Sequence, residues 1–189
     1  NDKSFNSILL LAILATVMAV FAQQYFPKKR FLAWPNAQAT SYFYATNQSD
    51  GTPAAFWLDQ SKGLWRCVYP DDDHSEYFAC SFNVLFETAL DQGVNLSAYS
   101  HLNLTLKYQG SASKMRVYIR NFNPTYSKIN DTNSTKFNAL TLHTRDLNKE
   151  LQIKLDEFVV SDWWLGQYDI PREQSRADLS NAMTLGMDF

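Results

Sequence analysis

With 189 residues, the chain has room for one domain and an appendage but not for two full hydrophobic cores. Its 46% hydrophobic and 15% aromatic content supplies that core. The net charge of −2 gives no basic surface for a polyanion and argues against nucleic acid as a partner.

The first element is apolar. No charged side chain occurs from Ser4 to Pro27, and residues 8–22 are almost purely hydrophobic. Taken as residues 5–26, the run has about 22 residues, enough for a helix to cross a bilayer core of roughly 30 Å. It reads either as an uncleaved membrane anchor or as an export signal, for which Val20, Phe21 and Ala22 offer a cleavage site before Gln23. Lys28, Lys29 and Arg30 follow the run, on the flank where export of the downstream chain favours few positive charges. This divides the chain into an anchor (1–27), a basic, proline-containing linker (28–38) and a β-rich domain (39–189).

In the domain, alternating or apolar runs bounded by polar turns predict strands at 41–45, 55–58, 64–69, 77–86, 101–108, 114–122, 136–143, 151–158 and 184–189. Many strands with little helical periodicity predict a β-sandwich. One short stretch, around 87–90, reads as either a helical segment or a turn, and the chain stops on what reads as a strand just completing, as a fragment of a longer protein would.

The runs 64–69 and 77–86 flank the turn Pro70 to Glu76. As a hairpin with Tyr69 opposite Phe78, they set Cys67 against Cys80 on the face carrying Trp65 and Phe82, at a spacing a disulfide closes. A disulfide implies an oxidising compartment; the alternative is two buried thiols. Five N-x-S/T triplets begin at Asn47, Asn95, Asn103, Asn130 and Asn133 and carry meaning only in a eukaryotic secretory pathway.

Residues 115–138 are the most informative stretch. Met115, Val117 and Ile119 point to one side of a strand, and Arg116, Tyr118 and Arg120 to the other. Two guanidinium forks and a phenol suit a carboxylate or a sugar, while the same residues on a solvated outer face need no ligand. The loop that follows returns Tyr126, Lys136 and Asn138 as further ligand-binding candidates; Lys136 and Asn138 alternate with Phe137 and Ala139. Beyond 151–158, Trp163 and Trp164 are candidates for stacking on a sugar or gripping an apolar ligand, with one of them expected to plug the core.

Catalytic signals are lacking. His74, His101 and His143 are scattered, and no zinc spacing, nucleophile elbow or phosphate-binding glycine loop occurs, so neither catalytic residues nor a metal nor a cofactor is assigned. Asp71, Asp72 and Asp73 read as a solvated turn more readily than as calcium ligands, and Asp131 as the head of an Asx-turn.

The segments M-R-V-Y-I-R-N-F-N-P-T-Y, K-F-N and V-V-S-D-W-W resemble the extracytoplasmic domain at the N-terminus of bacterial membrane sensors of the GGDEF diguanylate cyclase and histidine kinase types. That domain is similar to jelly-roll carbohydrate-binding modules of the galactose-binding-like superfamily. The resemblance implies an all-β jelly-roll domain, itself non-catalytic, held in the periplasm on the bacterial inner membrane. It would sense a small molecule, a glycan or a periplasmic protein, with a homodimer as the unit whose equilibrium the ligand biases. A cytoplasmic cyclase or kinase domain would then follow in the full-length protein. The other readings are an assembly subunit of an envelope complex and an exported carbohydrate-binding module.

Overall fold

The structure is a computed structural model that describes residues 2–25, 29–35, 40–45, 54–69, 79–86 and 88–189. The chain divides into two units, Asn1–Phe31 and Leu32–Phe189.

The first unit is the helix α1 (Asp2–Tyr25). Its window Phe5–Ala22 has a mean hydropathy of 2.3, and its apolar side chains are exposed all round. A helix hydrophobic on every side suits lipid, and 24 residues at 1.5 Å rise span about 36 Å. Thr16 donates its hydroxyl to the carbonyl of Ala12 at 2.8 Å, which satisfies that hydroxyl within the helix. Membrane anchors and signal sequences both have this form.

The second unit is mostly β. Its strands are β1 (Thr40–Ala45), β2 (Ala55–Asp59), β3 (Leu64–Cys67), β4 (Cys80–Leu85), β5 (His101–Thr105), β6 (Lys114–Asn121), β7 (Lys136–His143), β8 (Glu150–Lys154), β9 (Val159–Val160) and β10 (Ala182–Asp188). Six of them form an antiparallel sheet in the order β1-β4-β10-β6-β7-β9, and β2-β3 and β5-β8 form two separate ribbons.

The main core lies on one face of the large sheet. Phe82, Val84, Met115, Val117, Ile119 and Met187 meet Ile153 and Leu155, with Trp57, Trp65, Leu102 and Leu104 of the two ribbons packed against them. Alternation along β6 produces this, because every second side chain faces the same side of the pleat. A cluster of rings forms one end: Phe82 lies 5.5 Å from Trp34, 5.5 Å from Trp57 and 5.8 Å from Trp65.

One expectation is corrected here. β3 does not pair with β4: it pairs with β2, while β4 lies between β1 and β10 in the large sheet. The cysteines still meet, with Cα atoms 6.2 Å apart, and the Cys67–Cys80 disulfide ties the β2-β3 ribbon to the large sheet instead of bracing a hairpin. Tyr77, Phe78, Asp71 to Asp73 and His74 lie outside the described residues. Of the two readings at 87–90 the structure takes the turn where it is described: Thr88 to Leu90 form a turn closed by a bridge between Ala89 and Gln92. A helix appears instead at α2 (Asp162–Gln167).

Candidate functional site

Register decides which candidate residues meet. On β6, Tyr118 pairs with Ala139 of β7 and Gly186 of β10, and Arg116 pairs with Thr141 and Asp188. Arg116, Tyr118 and Arg120 therefore share the outer face of the large sheet, away from the main core. Asn138 pairs with Ile119 and so faces the opposite side from them.

The outer face is organised around Phe137. Its ring stacks on Tyr118 at 4.6 Å, and the guanidinium carbons of Arg116 and Arg120 lie 5.1 and 4.9 Å from its centroid. Trp163 meets its edge at 5.3 Å. Arg116 is also committed to a two-pronged ion pair, Nε to Asp188 Oδ1 at 3.0 Å and an Nη to Oδ2 at 2.6 Å. Arg120 reaches the carbonyl of Thr132 at 3.3 Å and has no carboxylate within ion-pair distance among the described residues. Tyr118 is buried and donates to Asn83 Oδ1 at 2.5 Å; burial pushes its phenol up to about 12.

Tyr126, Lys136 and Asn138 belong to a second constellation, centred on Asp178. Tyr126 donates its hydroxyl to Asp178 Oδ2 at 2.8 Å, Asn123 donates to the same oxygen, and Ser180 donates to Oδ1 through its backbone and its hydroxyl. Asn138, fully buried, binds the backbone of Asp178 in both directions. Lys136 is 3% exposed, yet its ammonium donates to the carbonyls of Gln174 and Arg176 at 2.7 and 3.1 Å and lies 4.4 Å from the Tyr126 ring. Burial lowers its pKa, against the pull of Asp178. These groups clip the loop after β6 to the segment before β10.

The adjacent tryptophans separate. Successive residues of a helix project about 100° apart, so α2 turns Trp164 inward and Trp163 outward. Trp164 is 0% exposed, packs beside Tyr118, Phe137 and Val160, and donates its indole N–H to the carbonyl of Asn133 at 3.2 Å. Trp163 is 42% exposed.

Thus Arg116, Tyr118, Arg120 and Trp163 gather on the outer face, while Tyr126, Lys136, Asn138 and Trp164 bind protein groups. Asp131 heads an Asx-turn, accepting from the backbone of Asn133 and from the Tyr168 hydroxyl. No group of three or more His, Cys, Asp or Glu side chains converges among the described residues.

Sequence reasoning missed Asp178, Asn123 and Asn181. The first two head short turns, Asn123 accepting from Thr125 and Asp178 from Ser180, and such Asx-turns are readable from the sequence. It also missed an open groove of about 590 Å³ beside the same loop, with Phe122, Pro124 and Ile129 among its apolar walls. Comparison with protein-family models, with curated proteins and with solved structures finds no match.

Proposed function

We propose that the chain is a membrane-tethered, extracytoplasmic recognition domain that senses a ligand or partner for a bacterial signal-transduction protein of the diguanylate cyclase or histidine kinase type. In this reading the β-domain is a galactose-binding-like jelly roll, α1 crosses the inner membrane and the domain stands in the periplasm. The observation that carries it is the Cys67–Cys80 disulfide joining two layers of a domain whose chain also holds a 24-residue helix with an apolar 18-residue window, Phe5–Ala22. Glycan or carboxylate recognition would fall to the outer face, where Arg120 and Trp163 flank Phe137.

Expression of the chain in a Gram-negative host tests the reading. The protein should stay in the membrane fraction through alkaline carbonate, should become sensitive to protease once the outer membrane is permeabilised, and should show no reactive thiol when unfolded without reductant. A soluble, protease-protected protein with two reactive thiols would sink it.

A further inference from the structure

We infer that the groove beside the loop after β6 is a binding site for a small zwitterion with an apolar side chain, that is, an α-amino acid or dipeptide. Its volume of about 590 Å³ lies within the range of small-molecule sites, and one wall is Phe122, Pro124 and Ile129, the last left 51% exposed. An apolar side chain that large on a loop, beside a concave surface, gains by being covered.

The polar rim makes the groove selective. Asp91 and Lys128 line it together with Asn130, and none of the three side chains has a hydrogen-bond or ion-pair partner among the described residues. A carboxylate, an ammonium and an amide left uncommitted around an apolar wall match the carboxylate, ammonium and side chain of an amino acid. The outer face differs: there Arg116 and Tyr118 are already held by Asp188 and Asn83.

Both charged residues stand on fixed backbone. Asn181 donates to the carbonyl of Asp91 at 2.8 Å and accepts from the amide of Gly93 at 2.7 Å, holding the 88–93 turn against the start of β10. A Cβ on Gly93 would lie 2.0 Å from the carbonyl oxygen of Ala182, so only glycine permits this approach. Across the groove, the amide of Lys128 donates to Ser134 Oγ at 2.7 Å and its carbonyl accepts from Asp131. Fixed backbone lowers the ordering cost of binding.

The chemistry of the groove does not depend on the compartment in which the domain resides. Isothermal titration of the whole chain in detergent micelles, with L-leucine and L-phenylalanine as probes, tests it apart from any topology measurement. Both should bind saturably, and N-acetyl-L-leucine and L-leucinamide should each bind about tenfold more weakly. Asp91→Asn should weaken leucine about tenfold and erase the preference over N-acetyl-leucine, and Lys128→Met should do the same for leucinamide. Absence of saturable binding by both amino acids, or unchanged affinity and selectivity in both variants, overturns the assignment.

Discussion

The ring of Tyr118 lies directly over Gly186, so close that a Cβ there would sit 2.2 Å from the ring carbon bearing the hydroxyl. β10 thus has to be bare at this point for a β6 side chain to cross it and reach Asn83 on β4. Gly186→Ala should destabilise the domain by about 2 kcal/mol through overpacking, and Tyr118→Phe by about 1 kcal/mol through the lost hydrogen bond. In a Tyr118→Ala background the cost of Gly186→Ala should fall below about 0.5 kcal/mol, because the clash is gone. Urea titration of the four proteins measures the coupling; additive costs would refute the contact.

The same tyrosine sets an alkaline limit. Burial raises its pKa from 10.0 to about 12, and burial together with the hydrogen bond to Asp178 also raises that of Tyr126. A folded-state pKa above the unfolded one means the folded protein keeps a proton that the unfolded chain releases. Stability is therefore full below pH 10 and declines as pH rises from 10 toward 12. Urea midpoints should be level from about pH 8 to 9.5 and fall by pH 11, with a shallower fall in Tyr118→Phe. A profile identical in the variant would contradict this.

Alternation made the strands legible, since a pleat with one buried face writes itself into the sequence at period two. β7 has the expected bounds, and the inward set Met115, Val117 and Ile119 is the core of β6. Pairing partners were not legible. The cysteine pair was placed on a hairpin, but adjacency in sequence says only that β3 and β4 are joined, and β4 finds better cover between β1 and β10. The candidate site suffered from the same blindness: Asp188 and Gly186 reach Arg116 and Tyr118 only through a register between strands some seventy residues apart. α2 was missed because six residues are too few for a helical period to show.

Asp178 should matter most in acid. Burial alone would raise its pKa, but hydrogen bonds from Ser180, Tyr126 and Asn123 outweigh this and hold the carboxyl below its ordinary 3.8. A depressed folded-state pKa contributes stability above the unfolded value that is lost as pH falls through the folded one. Asp178→Asn should lower stability at neutral pH by about 1–2 kcal/mol and flatten the decline below about pH 4. Hydrogen exchange should quicken at 123–127 and 174–181 together, because the carboxylate joins them. Faster exchange in one segment alone would show that Asp178 is not the clip.

The disulfide closes a short loop between layers, with Cys67 and Cys80 separated by 13 positions. Restricting the unfolded chain to that extent is worth about 3 kcal/mol. The Cys67→Ser, Cys80→Ser double variant should lose about that much by denaturant titration, and reductant should lower the wild type to the same midpoint while leaving the variant unchanged. A wild type indifferent to reductant would mean the link does not form.

Trp163 and Trp164 offer a test in which neighbours of identical chemistry should behave oppositely. Trp164 fills the space between α2 and the large sheet, touches Tyr126 edge-on at 5.4 Å and satisfies the carbonyl of Asn133. Its replacement by alanine opens a cavity and orphans that carbonyl, at a cost of about 3–5 kcal/mol. Trp163 rests on Phe137 with much of its ring in solvent, so Trp163→Ala should cost about 1 kcal/mol. Fluorescence separates them as well: in a chain of five tryptophans, Trp163→Phe should remove an acrylamide-quenchable component and Trp164→Phe a protected one. Comparable destabilisation by the two substitutions would mean that α2 does not direct its tryptophans to opposite sides.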